Sequence, residues 1–350
     1  MADFDLRLGN CLEILAADET ESVDSIITDP PYGLTANKNG GSGLASLNEK
    51  SPAGWARIGT GFMGMTWDHS VPGVEYWAAA LRVAKPGAFL LAFGGTRTYH
   101  RLTCAIEDAG WEIRDCLLWL YGSGFPKSLD CGGGRGTALK PAWEPIIMAR
   151  KPIMGTVARN IERHGTGALN IDACRISGIP GSGVWGSSNK TVHPDRTFMG
   201  SPDAAEYRSK QHPEGRWPAN VLHDDSDEVL SAFPIVESGK PSGVKRGGRK
   251  NVYGHFTGGI PVTGYGDAGS AARFFYCAKA DRTDRNEGLE GGPVRPLHWS
   301  SGEQSPGTFQ APNTQRQVEN FHPTVKPMAL MRYLCRLVTP PGGVVLDPYM

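Results

Sequence analysis

The stretch SIITDPPYGL, Ser25 to Leu34, joins an apolar strand to a rigid polar turn. Its first residues, Ser25–Thr28, are the clearest predicted strand in the early part of the sequence. An acid, two prolines and a tyrosine follow at once. Folding alone does not require that order, because Asp and Pro-Pro open many kinds of turn. The order therefore suggests that the end of this strand carries chemistry.

The composition is that of a globular protein with no strong overall charge. The chain has 350 residues, 39% of them apolar, with 36 Lys and Arg against 36 Asp and Glu. This length and apolar content predict a large core with one inserted or appended domain, and exclude a chain that is disordered as a whole. Because the net charge is zero, a polyanionic partner would have to bind a local basic patch.

Cysteine usage predicts a reducing compartment and no metal site. The cysteines are odd in number and form no CxxC pair; they are Cys11, Cys104, Cys116, Cys131, Cys174, Cys277 and Cys335. That pattern fits neither a disulfide framework nor a zinc site. The N-terminus has no basic and apolar signal, and no run of about eighteen apolar residues occurs. We therefore expect a soluble, cytoplasmic protein.

The first part of the chain, residues 1–152, predicts a parallel sheet flanked by helices, which is an α/β fold. In VEYWAAALRVA, Val74, Trp77, Leu81 and Ala84 have near-helical spacing, and Pro86-Gly87 is predicted to end the helix. AFLLAFGG is then a predicted buried strand. WEIRDCLLWL and AWEPIIMARKP are two further predicted strands, which could form an antiparallel pair.

The other two parts differ in character. Residues 153–269 are rich in Gly, Pro, Ser and basic residues and predict a loop-rich insert. In residues 270–350, AARFFYCAKA is strand-like, and MALMRYLCRLV predicts a helix with its apolar residues on one side, namely Leu330, Met331, Leu334, Leu337 and Val338. GGVVLDPYM predicts a final parallel strand with an acid at its carboxyl end.

The insert contains a basic run without acids, GKPSGVKRGGRKNVYG. Most such runs are solvated loops, but these side chains are also candidates for phosphate contacts. The candidate DNA-binding residues are Lys240, Lys245, Arg246, Arg249 and Lys250.

The residues after the first strand suit chemistry on an exocyclic amino group of a base. That nitrogen is a poor nucleophile, so an enzyme alkylating it must supply acceptors for its hydrogens. Asp29 offers a carboxylate, and Pro30 and Pro31 form a stiff turn with outward carbonyls. Tyr32 offers a flat face for a base flipped out of a duplex. For Asp29 the alternative is a turn opener, and for Tyr32 it is a packed core residue.

Three motifs in this order carry a resemblance: DPPY (Asp29–Tyr32), HPTVKP (His322–Pro327) and VVLDPYM at the end. Together they resemble the S-adenosylmethionine-dependent DNA amino-methyltransferases of the circularly permuted beta class. The resemblance also covers LGNCLEIL, GSGFPKS and WEPIIMARKP. It implies a Rossmann-like methyltransferase sheet, with S-adenosylmethionine as cofactor, double-stranded DNA as substrate and the insert as target-recognition domain.

The resemblance also implies the residues that line the cofactor site. His322, Thr324 and Lys326 would border the methionine end of the cofactor, with Asp29 nearby. Asp347, followed by Pro348, would lie beside its amino-acid moiety. Asn10 stands where the family usually has an acid near the adenine, and its carbonyl oxygen can still accept a hydrogen bond. The alternatives are a Pro-stiffened helix entry for HPTVKP and a strand-terminating turn for Asp347.

The sequence favours adenine N6 as the target, with cytosine N4 as the runner-up. Cytosine C5 chemistry is excluded because it needs a thiolate that follows a proline in that family, and no cysteine here does. A non-catalytic DNA-binding protein derived from a methyltransferase is the competing class. RNA or protein-amide methylation is a weaker third interpretation. A homodimer and a partner restriction endonuclease remain open.

One departure concerns the end of the sequence. In the family a Gly-rich turn, a helix and a strand with a ribose-binding acid follow the final strand, and here the sequence stops at Met350. We therefore expect the 350-residue chain to bind S-adenosylmethionine weakly or not at all. We also expect it to be less stable than a longer form that includes those elements.

Overall fold

A computed structural model describes residues 4–33, 71–122, 124, 128–176, 215–237, 268–277 and 325–349. It also gives the backbone of three short antiparallel pairs, which are Lys50–Ser51 with Gly54–Trp55, Lys250–Asn251 with Gly254–His255, and Arg295–Pro296 with Gln317–Val318. All further structural statements concern these residues.

The centre of the structure is a seven-stranded sheet. Its strands in chain order are β1 (Val23–Thr28), β2 (Ala84–Phe93), β3 (Glu112–Leu120), β4 (Trp143–Arg150), β5 (Val221–His223), β6 (Tyr276–Cys277) and β7 (Val345–Leu346). They lie in the order β6-β5-β3-β4-β2-β1-β7. Strand β4 runs antiparallel to both neighbours and every other pair is parallel. Six strands therefore end, and β4 begins, at one edge, which we call the carboxyl edge.

Helices cover both faces of this sheet. They are α1 (Cys11–Ala17), α2 (Val74–Val83), α3 (Tyr99–Asp108), α4 (Val157–His164), α5 (Asp227–Ala232) and α6 (Met328–Val338). Helices α1 to α3 pack on one face against a core that includes Ile26 and Leu90. Helix α6 packs on the other face with Ile27 and Leu91. Adjacent strand residues point to opposite faces, so β1 and β2 are buried on both sides. The predicted α/β sheet flanked by helices is confirmed.

Helix α6 begins after Pro327 and turns an apolar stripe toward the sheet. The stripe matches the prediction except that Tyr333 is buried and Met331 only partly so; its buried residues are Leu330, Tyr333, Leu334, Leu337 and Val338. This packing places the segment just before the helix, including Lys326, at the carboxyl edge. The predicted antiparallel pairing of the WEIRDCLLWL and WEPIIMAR segments, β3 and β4, is also confirmed.

The boundary between α2 and β2 differs from the prediction. The helix ends at Val83 and the strand begins at Ala84, before Pro86 and not after it. Gly87 has a φ of +80°, and a Cβ there would lie 2.4 Å from the amide nitrogen of Asn160. Pro86 and Gly87 therefore lie near the start of β2, where the backbone packs closely against Asn160 of α4. Val74, one of the four apolar residues with near-helical spacing, is 40% exposed in the first helical turn.

The segment AARFFYCAKA is only partly a strand. A 3-10 turn occupies Ala271–Phe274, and the strand is limited to Tyr276–Cys277. The Ser270 hydroxyl caps this turn by accepting from the Ala272 amide at 3.2 Å. The Arg273 guanidinium donates to the Ser270 carbonyl at 2.6 Å. These local hydrogen bonds compete with the strand geometry that the aromatic run favours.

Part of the predicted insert belongs to the sheet. Strand β5, within residues 153–269, pairs in parallel with β3. Helix α4 from the same region is joined to the start of β2, because the buried Asn160 amide donates to the Pro86 carbonyl at 2.8 Å. The boundaries 1–152, 153–269 and 270–350 stay a prediction. In the described residues, no helix is both long enough and apolar enough to cross a bilayer.

The packing of α6 predicts a difference between two leucines. Leu334 is fully buried, whereas Leu139 is 91% exposed. We expect Leu334→Ala to lower the free energy of unfolding by about 2–5 kcal/mol, because it leaves a cavity. The same substitution at Leu139 should change it by less than about 0.5 kcal/mol. Denaturant titrations of both variants measure this, and equal losses would contradict the packing of α6.

Candidate active site

Two acids leave adjacent strands at the carboxyl edge. Asp29 follows β1 and Asp347 follows β7, and these strands pair in parallel with Ile26 opposite Leu346. The Thr28 hydroxyl donates to Asp347 Oδ1 at 2.6 Å, which ties the two strand ends together. Neighbouring strands lie about 4.8 Å apart, so the two acids share one site although they are far apart in sequence.

The Asp29 carboxylate is held on both of its oxygens. The Tyr32 hydroxyl donates to Oδ1 at 2.7 Å, and the Lys326 ammonium donates to Oδ2 at 2.8 Å. Tyr32 reaches Asp29 because the intervening Pro30 and Pro31 turn the chain back on itself. The first motif and the segment before α6 therefore meet directly at Asp29.

Glu144 is a second carboxylate in the same cluster, and no role was predicted for it. It lies at the start of β4, where its Oε2 accepts from the Tyr32 hydroxyl at 3.2 Å. The same oxygen lies 3.3 Å from the Lys326 ammonium. The only sequence signal was an acid within WEPIIMARKP at the beginning of a strand. Only the sheet order brings that end of β4 beside Asp29.

The cluster is shielded from water by aromatic rings. The Lys326 side chain is 6% exposed and that of Glu144 14%, against 29% for Asp29. The Lys326 nitrogen lies 4.9 Å from the centre of the Phe93 ring and 5.5 Å from that of Tyr32. Asp29 is therefore the most accessible charged group in the cluster, which suits contact with a substrate.

The surroundings keep Tyr32 protonated. Burial raises the pKa of its phenol well above the ordinary value, and the negative charges of Asp29 and Glu144 raise it further. The hydroxyl is therefore a hydrogen-bond donor at neutral pH. The ring packs against Gly95, where a Cβ would lie 3.3 Å from Tyr32 Cδ2. The structure places Tyr32 beside Asp29, and its stacking on a base stays a prediction.

Asp347 is a partly buried acid with one oxygen available. Oδ1 accepts from Thr28 and, at 3.0 Å, from the Tyr349 amide. Within the described residues, no hydrogen bond to Oδ2 is found. Burial raises the pKa of Asp347; the two hydrogen bonds oppose this, and the charge of Asp29 adds to it. A cation beside Asp347 would oppose both burial and the Asp29 charge, the two effects that raise its pKa. The site is therefore suited to hold a positively charged group.

The other predicted site residues are distributed as follows. Asn10 is exposed and caps α1, because its Oδ1 accepts from the Leu12 amide at 3.0 Å. That use of the oxygen was not predicted, and its contact with a cofactor stays a prediction. Lys250 is described only as backbone in a short strand. The remaining predicted residues lie outside the described part of the chain; they are His322, Thr324, Lys240, Lys245, Arg246 and Arg249.

Three side chains of the kinds that bind metal ions lie close together further along the carboxyl edge. His223, Asp225 and Cys277 have ligand atoms within 4.8 Å of one another. His223 Nδ1 accepts a hydrogen bond from the Asp225 amide at 3.2 Å, so in a neutral ring the proton is on the other nitrogen. A metal-bound histidine instead donates from its second nitrogen. This geometry does not favour a metal, and the predicted absence of one stays a prediction.

The sequence was compared with models of known families. The model for N6/N4 DNA methylases, described as DNA methylase, matches residues 23–350. The chain belongs to this family. The match begins with β1 and includes Asp29, Glu144, Lys326 and Asp347.

Individual relatives share less of the chain. The type II methyltransferase M.HindIII of Haemophilus influenzae is 28% identical in an alignment of 185 positions that covers 43% of this chain and 60% of the relative. This chain thus spans less than two thirds of that relative's length.

Solved structures also resemble parts of the methylase. A candidate DNA modification methylase from Thermus thermophilus, complexed with S-adenosyl-L-methionine, is 17% identical and covers 45% of this chain and 57% of that chain, with a TM-score of 0.26. The cytosine-N4-specific PvuII DNA methyltransferase is 15% identical and covers 43% of this chain and 51% of that chain, with a TM-score of 0.28.

The burial of Asp347 predicts a pH-dependent stability difference. Its folded pKa is raised, so its stabilising contribution is complete below the unfolded pKa, about 4, and is lost as the pH rises through the folded value. Asp347→Asn cannot ionise. We expect the variant to melt about 1–3 °C above the parent protein at pH 7 and at the same temperature near pH 3, below the unfolded pKa.

Thermal melts at both pH values measure this effect. Asp108→Asn, an exposed substitution of the same kind on α3, is the control and should show no pH-dependent difference. An equal shift at both pH values in Asp347→Asn would contradict a raised pKa of Asp347 in the folded protein.

Proposed function

We propose that this methylase transfers a methyl group from S-adenosylmethionine to the exocyclic amino group of a base in double-stranded DNA, with adenine N6 as the target. One observation carries the proposal. Within a chain that matches the DNA methylase family over residues 23–350, Asp29 and Asp347 end adjacent parallel strands. A carboxylate suited to an amino group thus lies one strand away from a partly buried carboxylate suited to a cation.

The residues at the strand ends fit the cofactor. Asp347, with its available Oδ2, would hold the ammonium of the amino-acid moiety, and Pro348 would shape that turn. The cofactor supplies an electrophilic methyl group on a positively charged sulfur. The nearby Asp29 charge, which raises the pKa of Asp347, favours that positive group. We also assign His322, Thr324 and Asn10 to this site, as the family resemblance implies.

Asp29 is the proposed catalytic acceptor. Its carboxylate accepts an N–H of the target amino group, which makes the nitrogen lone pair more available for the new N–C bond. A carbonyl of the Pro30-Pro31 turn would accept the second N–H. The nitrogen would become positively charged as the N–C bond forms and the bond between the methyl carbon and the cofactor's sulfur breaks, and it would then lose a proton to the solvent. A carboxylate at this position would stabilise that transition state. Tyr32 would stack on the flipped base.

Adenine is preferred over cytosine because of the first motif. DPPY is more common with adenine in the family that the sequence resembles, whereas a serine at the first position is more common with cytosine. The order of the motifs, with Asp29 on the first sheet strand and Asp347 on the last, supports the permuted beta class. Methylation at cytosine N4 is the alternative outcome of the experiment below.

The first test removes the acceptor. We expect Asp29→Ala and Asp29→Asn to lower the methylation rate by at least about 10³-fold while changing the affinity for DNA by less than about threefold, because phosphate contacts lie elsewhere. Incubation of unmethylated DNA with labelled S-adenosylmethionine, nuclease digestion and mass spectrometry identify the methylated base. A mobility shift measures binding.

Glu107→Gln, an exposed substitution on α3, is the control and should methylate like the parent. Methylation by Asp29→Ala at nearly the parent rate would remove Asp29 from the catalytic role. N4-methylcytosine as the product would replace adenine as the target, and specific DNA binding without methylation would favour a non-catalytic DNA-binding protein.

We further propose that the basic run in the insert binds DNA phosphates. Neutralising Lys245, Arg246, Arg249 and Lys250 together to Gln should weaken binding to all DNA sequences. It should also reduce the slope of log affinity against log salt by about one for each phosphate that is no longer neutralised. Lys240 belongs to the same run and would extend the contact.

A second set of four exposed basic residues provides the charge-matched control, namely Arg135, Lys140, Arg159 and Arg163. Salt titrations of DNA binding compare the two sets. Equal slopes for parent and insert variant would assign the run to a solvated loop. A loss of site discrimination at unchanged affinity would instead place these residues on base edges.

A cytoplasmic location is part of the proposal, because all seven cysteines are free thiols. A partner restriction endonuclease and a homodimer are proposed from the family resemblance alone.

A further inference from the structure

In this structure the carboxylate assigned to the target amino group is already occupied. Oδ1 of Asp29 accepts from Tyr32 and Oδ2 accepts from Lys326, at 2.7 and 2.8 Å. An amino group that becomes positive during methyl transfer would meet an ammonium on the same carboxylate. Because like charges repel strongly in a shielded site, Lys326 must have another acceptor when the substrate is bound.

Glu144 offers that acceptor to both donors at once. A single oxygen, Oε2, lies 3.2 Å from the Tyr32 hydroxyl and 3.3 Å from the Lys326 ammonium. Both distances exceed the corresponding distances to Asp29, 2.7 and 2.8 Å, by about 0.5 Å. A movement of that size would exchange the stronger and the weaker partner of each donor without breaking either contact, so the exchange has a low structural cost.

The charges favour this exchange. Among the described residues of this cluster, Asp29 and Glu144 carry two negative charges and Lys326 carries one positive charge, so one carboxylate is in excess within that set. When Lys326 and Tyr32 lie closer to Asp29, the excess charge is on Glu144, in the shielded part of the cluster. When they lie closer to Glu144, the excess charge is on Asp29, which is the more exposed of the two acids.

We propose that Glu144 is a positioning residue. As the target amino group binds, Glu144 replaces Asp29 as the main hydrogen-bond acceptor for Lys326 and Tyr32. The inference rests on the proposed function and adds a specific role to an acid outside the three motifs. The Asp29 carboxylate then faces the nitrogen being methylated, and its negative charge is no longer shared with the Lys326 ammonium. Without the charge of Glu144, Lys326 stays on Asp29 and opposes the reaction.

The kinetic test uses the full chain with Glu144→Gln, which keeps the shape and removes the charge. We expect kcat to fall at least tenfold while KM for DNA changes less than threefold. Adding Lys326→Met should raise the kcat of Glu144→Gln, because the ammonium no longer occupies Asp29. Glu144→Asp should recover part of the loss, and Glu107→Gln is the control that keeps the parent rate.

A titration provides a measurement that does not need activity. A fluorinated tyrosine at position 32 ionises nearer neutral pH, and its fluorine resonance reports the ionisation midpoint. Glu144→Gln should lower that midpoint, because one of the two carboxylates that hold the hydroxyl is removed. Glu107→Gln should leave the midpoint unchanged, and melting temperatures show whether each variant is folded.

The outcomes separate the two proposals. A methylating parent with unchanged kcat in Glu144→Gln, or a double variant with Lys326→Met that is no faster than Glu144→Gln, would overturn the role of Glu144. An unchanged midpoint would also overturn it, because Glu144 would not share the Tyr32 hydroxyl. A parent that binds DNA without methylating it, but with the expected shift of the midpoint, would overturn the proposed function and leave the shared hydrogen bonds established.

Discussion

The parallel pairing of β1 with β7 is the constraint on which the rest of the site depends. This pairing fixes the two ends of the described chain beside each other, and buried polar contacts support it. Ser25 and Thr339 share a hydrogen bond of 2.7 Å between their hydroxyls, and the Val344 amide donates to Asp24 at 2.9 Å. Asp24 is 5% exposed and pairs with Lys85 at 2.6 Å, so its charge is compensated. Asp29 and Asp347 are neighbours because these strands are.

The polar cluster depends on a different property of the sheet, the reversed direction of β4. Because β4 is antiparallel to its neighbours, it begins where they end, and Glu144 near its start therefore reaches the carboxyl edge. A parallel strand at this position would bring its last residue there instead. The single antiparallel strand of the described sheet thus adds an acid to a site that otherwise contains Asp29 and Lys326.

The fold was largely predictable because apolar periodicity and turn residues mark β1, α6 and the β3–β4 pair directly. The boundary between α2 and β2 at Ala84 could not be predicted, because Pro86 and Gly87 contact Asn160, which is distant in sequence, and do not end the helix. Asp29 and Lys326 were found through motifs, but their direct contact was not. The sequence marked Glu144 only as an acid at the start of a predicted strand, because its place in the cluster follows from strand order and not from its neighbours in the chain.

The separation of Asp29 and Lys326 by 297 positions also bears on how the protein is made. During translation, β1 and its DPPY turn leave the ribosome long before the segment that supplies the ammonium. Contacts of such high sequence separation form late and slowly, since a long loop must close first. The nascent chain therefore holds Asp29 without its ammonium partner until the segment that contains Lys326 has been synthesised. The contact between Asp29 and Lys326 can form only after that segment has been made, and a chain interrupted within the insert would lack it.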